Sequence, residues 1–357
     1  MTTKKRFDEI DLLKLIAIFM VVILHTGLLK IDFIANPSFS VFAQFGARIL
    51  MEGVPIFVLV NGFLLLNKPY DSKKHFKKVR KIFGLVIVWA ILNYLSGLFA
   101  HGDLSPDDFM KTFLTISTGS KYIGLLWFLI YLLSIYIIFP VIKSLHDNDK
   151  KAYNYLFKVV AFFTVGINLL TLVINFANLW LNNKGLPLIP GFLQKFTPLS
   201  SISYFLFCFM LGGYLYEMRD KLKKIKIWKV LLCGLASFAI SFAYGVIVSE
   251  KKSTMITVSY NYSTIFLITD MVCLYIIALK YKSKDRFYNK IVQDIAKNSL
   301  GIYLIHIIIV RCVNNLIDFP KDNLAIRFCF TFGIFVISYV LVKIIRAIPL
   351  VKKLVEI

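Results

Sequence analysis

A lysine and a histidine share one apolar stretch near the start of the chain: Ile10–Lys30, IDLLKLIAIFMVVILHTGLLK, contains Lys14 and His25. In hydrocarbon each of these groups needs a partner, a water-filled cavity or a chemical task. The step of eleven residues between them is three helical turns plus roughly 20°, so both side chains leave one helix face about 16 Å apart along its axis. A cation near one membrane surface and an imidazole deeper in the bilayer thus share one seam, a candidate site in which the cation could meet a ligand. Each residue also has a structural reading, Lys14 snorkelling toward headgroups and His25 hydrogen-bonded to a neighbouring helix.

Other residues could join such a site. Glu52 follows Arg48 by four residues, which lets the two face each other on a helix, and Glu52 could orient an imidazole or a substrate hydroxyl. Asp270 lies within an apolar run, where an acid must be paired or protonated. Ser299, Tyr303, His306 and Asn314 recur at helical spacing and predict a polar stripe facing the interior of a bundle, with His306 read as a hydrogen-bonded structural residue. Lys73, Lys74, Lys77, Lys78, Arg80 and Lys81 form a dense basic cluster. It serves topology and anionic lipid, and Lys77 and Arg80, one turn apart, could also hold a polyanionic donor. Five cysteines (Cys208, Cys233, Cys273, Cys312 and Cys329) stand singly in apolar runs and read as core residues with no metal site and no disulfide frame. Glu217 is expected to meet the nearby Arg219.

The elements that must position these groups are membrane helices. Of the 357 residues 58% are hydrophobic, and the mean hydropathy is +0.72, which excludes a soluble fold and makes nucleic acid an improbable reason for the net charge of +22. Apolar runs predict about ten spans, near 10–30, 43–66, 82–100, 122–142, 159–180, 200–216, 227–248, 257–279, 299–317 and 324–345. Assigned to alternate sides, 30 of the 42 Lys and Arg residues fall on the side of the termini and 8 on the other. The positive-inside rule then puts both termini in the cytoplasm. The first span is too long and carries Lys14, so it is not a cleavable signal. Without repeats or low-complexity tracts, residues 1–357 are expected to form a single integral membrane domain with no soluble appendage. The segment NNKGLPLIPGFLQKFTP is expected to be an extracytoplasmic loop.

Four segments in order along the chain resemble one family. Lys14 and His25 match the basic-x10-His signature of the first helix of the membrane-bound acyltransferase-three family. GVPIFVLVNGFLLL at 53–66, LLWFLIYLLSIYIIFPVI at 125–142 and SLGIYLIH at 299–306 are similar to three of its other motifs. Lys77-Lys78-Val79-Arg80 stands where the family often has R-x-x-R. Asn61 replaces its usual Ser, and Lys14 its commoner Arg, which removes the bidentate fork.

The resemblance implies an all-α bundle of about ten transmembrane helices in the plasma membrane, a stand-alone O-acetyltransferase. It would move an acyl group, usually acetyl, from cytoplasmic acetyl-CoA to a hydroxyl of a cell-surface or lipid-linked carbohydrate, with no metal. In that reading His25 is catalytic, with Glu52 first and Asp270 second as the accompanying acid, and Lys14, Lys77 and Arg80 bind the donor. Acyl-CoA, a carbohydrate acceptor and the bilayer are the expected partners, nucleic acid is not, and a homo-oligomer stays open. From another class, the same buried polar residues would suit an exporter of a glycan or lipid-linked sugar, although no repeat of the kind transporters often show is present.

Overall fold

In this computed structural model the described residues are 6–27, 52–101, 110, 126–199, 202–252, 264–281, 285–317 and 323–356, and the regular elements among them are all helical. In chain order they are α1 (Asp8–Thr26), α2 (Gly53–Leu66), α3 (Ser72–His101), α4 (Trp127–Asn148), α5 (Lys150–Ala161), a π-helical turn (Phe162–Gly166), α6 (Ile167–Leu181), α7 (Leu188–Gln194), α8 (Ile202–Glu217), α9 (Arg219–Lys224), α10 (Ile227–Lys252), α11 (Ile265–Lys280), α12 (Arg286–Leu316), α13 (Leu324–Ala347) and a 3-10 turn (Lys352–Leu354). Arg48, expected beside Glu52, lies outside the described residues.

Among the described residues six segments are long and apolar enough to cross a bilayer: Ser72–Phe99, Trp127–Asn148, Lys150–Leu181, Ile227–Lys251, Arg286–Leu316 and Ala325–Ala347. The described parts of the other four expected spans are also helical, and each contains fewer than the ~20 apolar residues of a full span. α2 has 14 residues, α8 and α11 have 16 each, and the 19 of α1 include Asp8, Glu9 and Asp11 in its first turn. Both α3 and α12 begin before their apolar runs because side chains cap them. Asp71 accepts from the Lys74 amide at 3.0 Å, and Asp285 accepts from the Phe287 and Tyr288 amides at 2.7 and 3.3 Å, which satisfies N–H groups that a helix start leaves unpaired. The Lys74 ammonium, 2.8 Å from Asp71, also holds that carboxyl below the usual carboxylate range. Between α6 and α8 the proline-rich stretch is more ordered than expected: Asn182 ends α6 in the left-handed region, at φ 47°, and α7 follows.

The chain divides into two compact units, one drawn from residues 1–20, 29–68 and 142–290, the other from 21–28, 69–141 and 291–357. In the first unit α2 and α8 are buried nearly all round, which is why their sequences show apolar residues on every face. Glycines bring them together: a Cβ on Gly62 would overlap the Phe209 carbonyl, and one on Gly212 would overlap the Leu59 carbonyl, the small-residue packing that lets backbones touch in membrane bundles. Around Phe63 stand Phe7, Tyr216 and Tyr275, with ring centroids 5.3, 5.1 and 5.9 Å away.

Polar staples hold the same unit. Lys143, 5% exposed, donates to the Leu66 carbonyl at the end of α2 (2.5 Å) and to Asp147 (2.7 Å). Glu217 meets His146 at 2.9 Å and Lys150 at 2.5 Å. Arg219, its expected neighbour, instead donates to the buried Glu9 at 2.6 Å. The sequence-local choice lost because the chain folds α1 and α5 against the ends of α8 and α9.

The second unit is tied by side chains that reach neighbouring backbone. Trp89 of α3 donates to the Leu354 carbonyl in the C-terminal turn at 2.7 Å. Arg346 of α13 reaches the Lys297 carbonyl, Asn298 and Glu356 at 3.0, 2.8 and 3.3 Å. His75 is buried, hydrogen-bonds through Nε2 to the Tyr136 carbonyl at 2.9 Å, and stacks on that ring.

Candidate functional site

In the second unit the first helix meets α12 through two imidazoles. His306 is fully buried and His25 half-buried, with His306 Nε2 3.2 Å from His25 Nδ1 and the ring centroids 5.1 Å apart. One residue on, Thr26 and Thr331 of α13 share a hydrogen bond at 2.7 Å, fixing the end of α1 from the other flank. Tyr303, whose ring centroid is 6.0 Å from that of His306, is itself packed edge-on against Phe128 at 5.3 Å.

The acceptors around the rings assign their protons. His306 Nδ1 lies 2.7 Å from the Tyr303 carbonyl and 3.1 Å from that of Ile302. A carbonyl only accepts, so this nitrogen carries hydrogen and Nε2 carries the lone pair. His25 Nδ1 lies 2.8 Å from the Val21 carbonyl, so it is also an N–H, shared with the facing His306 Nε2. The second ring nitrogen of His25 is Nε2. When it takes a proton, the imidazolium keeps its Nδ1–H bond to a neutral acceptor, which steadies the charge. Such a ring can serve as general base or nucleophile.

The remaining sequence candidates are placed as follows. Lys14 is half-buried on α1, eleven residues before His25 on the same continuous helix. Lys77 and Arg80 are exposed in the first part of α3, whereas the intervening Lys78 turns inward and sets its ammonium over the Tyr136 ring at 5.0 Å. Glu52, 3% exposed, precedes α2, and Asp270 is half-buried on α11. Both acids belong to the first unit and lie within electrostatic reach of Cys273, so they share one neighbourhood. His25 Nδ1 has His306 Nε2 and the Val21 carbonyl beside it. Among the described residues no three His, Cys, Asp or Glu side chains are placed to hold a metal ion.

His306 is the buried, hydrogen-bonded residue expected, held on the Tyr303 and Ile302 carbonyls, and it also faces His25. Its own helix holds the clue: Ser299, Tyr303 and His306 are buried as the stripe requires, while Asn314 is exposed. No signal within one helix, however, names the residue across the interface.

No curated protein and no solved structure matches the chain. The profile of the acyltransferase domain family, acyltransferase 3, matches residues 7–343, a stretch that contains every candidate named above. With a match over nearly its whole length, the chain belongs to the acyltransferase-three family, and with its apolar helices it is a multi-pass membrane acyltransferase.

Proposed function

We propose that this acyltransferase takes an acyl group, acetyl in the first instance, from acyl-CoA on the cytoplasmic side of the plasma membrane and delivers it to a hydroxyl of a cell-surface or lipid-linked carbohydrate. The chain would act as one integral domain of ten spans with both termini in the cytoplasm. The short helices α1, α2, α8 and α11 would complete the count, as the distribution of lysine and arginine requires.

Lys77 and Arg80 bind the donor phosphates as exposed cations, and Lys14 steadies the donor along α1. The acceptor hydroxyl gives its proton to His25 Nε2 as its oxygen attacks the thioester carbonyl. The C–S bond then breaks, and the thiolate takes that proton to leave as free CoA. In the alternative order Nε2 attacks the thioester carbonyl and CoA thiolate leaves, and the acceptor oxygen then takes the acyl group from Nε2 while its hydroxyl proton goes to the thiolate. Glu52 and Asp270 are the acids proposed to assist at the same reaction. The observation that carries this reading is the meeting of two imidazoles between α1 and α12, with His306 Nε2 3.2 Å from His25 Nδ1.

The test is purified protein with radiolabelled acetyl-CoA and a surface-glycan extract. Label should move to glycan with release of free thiol, and His25→Ala should lose both by roughly 10²–10⁴-fold while remaining folded and membrane-inserted. A His25→Ala protein that transfers at the normal rate would remove His25 from the chemistry.

A further inference from the structure

Among the cations at the start of α3, Lys78 is the one seated on an aromatic ring. It is half-buried, and its ammonium stands over the Tyr136 ring of α4, 5.0 Å from the centroid. That seat is fixed from behind. In a helix the Tyr136 carbonyl would accept from the amide four residues on, but residue 140 is proline and has none. The buried His75 fills the gap: its Nε2 donates to that carbonyl at 2.9 Å, and the two rings stack. Asp71, the acid nearest in sequence, is taken by Lys74 at 2.8 Å. Among the described residues no carboxylate pairs with Lys78, so a positive charge is held partly out of water against a π face. A charge so placed calls for an anion to complete it.

The helix face gives this cation a direction. Lys78 shares a stripe with Ile82, Leu85, Trp89, Asn93 and Ser96, spaced by three and four residues, and the five that follow it are buried. At its far end the stripe faces α12, where Arg311 meets the Asn93 carbonyl at 3.0 Å and Ser96 Oγ at 2.9 Å, and Asn315 meets the Phe99 carbonyl at 3.5 Å. The contacts rise together on both helices, so α3 and α12 run parallel. His306 precedes Arg311 by five residues, which puts the imidazole pair about ten residues, or roughly 15 Å of rise, beyond Lys78. An extended pantetheine arm spans such a distance. Lys77 and Arg80 lie at the same depth but off the stripe, exposed on α3. Of these three cations, Lys78 is on the face that leads to His306.

We infer that Lys78 is a specificity-determining residue for the donor: its ammonium binds a phosphate of acyl-CoA on the face of α3 that leads to the imidazoles, with Lys77 and Arg80 as the outer cations. The inference rests on the proposed use of acyl-CoA as donor. An anionic lipid headgroup offers the same phosphate chemistry to a lysine near a membrane surface, and the experiment distinguishes the two sources.

The experiment titrates CoA by calorimetry into the purified full chain in neutral detergent, at several salt concentrations, for the wild type, Lys78→Met and Lys78→Arg. Donor KM and kcat are measured on the same samples by label transfer from acetyl-CoA, and binding of a fluorescent phosphatidylglycerol is followed alongside. Lys78→Met keeps a straight apolar side chain over Tyr136 and removes only the charge. It should weaken CoA binding by roughly tenfold or more, flatten its salt dependence, and raise donor KM in step while kcat stays within about twofold. Lys78→Arg, which keeps the charge, should stay within about threefold of the wild type. An unchanged CoA affinity in Lys78→Met overturns the inference, and if that variant has lost phosphatidylglycerol binding, the occupant is a lipid headgroup. A kcat that falls while the salt dependence stays as it was makes Lys78 a packing residue and overturns it too. Wild-type protein that binds no CoA defeats the acyl-CoA reading itself, and with it this one. CoA binding that ignores Lys78 defeats only the phosphate contact.

Discussion

The α2–α8 contact in the first unit and the α1–α12 contact in the second solve the same problem by opposite means. At α2–α8, glycines let two apolar backbones touch, with Gly62 against the Phe209 carbonyl and Gly212 against the Leu59 carbonyl. At α1–α12, polar side chains are spent in the interface, His25 against His306, with Thr26 joined to Thr331 of α13 beside it. The first arrangement yields density and rigidity and carries no reactive group. The second spends hydrogen-bonding side chains in the interface. The proposed transfer thus falls on a different helix pair from the glycine contact, and substitutions in the two should separate cleanly.

The largest expected effect is on the chemical side. His25→Ala should lower transfer by roughly 10²–10⁴-fold and leave the thermal unfolding temperature in detergent within a few degrees of the wild type. Next, His306→Ala removes the acceptor that steadies the His25 imidazolium. At about 1.5–3 kcal/mol for a hydrogen bond to a charged group, the rate constant should fall roughly 10–100-fold, with little change in donor KM. Gly62→Ala or Gly212→Ala should do the reverse. Each forces a methyl into a backbone carbonyl and should cost about 1–3 kcal/mol of stability, read as a lower unfolding temperature and poorer yield, while the molecules that fold keep their rate constant. Smaller again, Lys77 and Arg80 replaced together by Gln should raise donor KM severalfold without changing the rate constant at saturation. An unchanged KM would return both cations to a purely topological role. Smallest is Leu350→Ser at a position 89% exposed, expected within about 0.5 kcal/mol of the wild type by the same unfolding measurement.

The two regions also differ in how far they could be read from residues alone. Apolar runs located the long helices, because hydropathy over a span's length is nearly all that insertion requires. They misplaced the starts of α3 and α12, since the caps at Asp71 and Asp285 are single polar residues that a hydropathy window averages away. The glycine contact joins residues far apart in sequence, and Gly62 and Gly212 carry no mark of their partner. At the site, Lys14 and His25 stood out because charge and imidazole are rare in such a run, and Lys77 and Arg80 because they cluster. His306 was seen as buried but not as the neighbour of His25, and Glu217 was given to the nearest arginine when its partners are His146 and Lys150. In each case the residue type was legible and the pairing was not, because pairing is decided by which helices pack together.

The most direct test of the imidazole couple is a double-mutant cycle on label transfer from acetyl-CoA, comparing wild type, His25→Ala, His306→Ala and the double variant under one condition. If His306 acts only by positioning and steadying His25, removing it should cost roughly 10–100-fold in the wild type and almost nothing once His25 is gone. The same loss in both backgrounds would contradict the couple, and so would a His25→Ala protein that transfers normally.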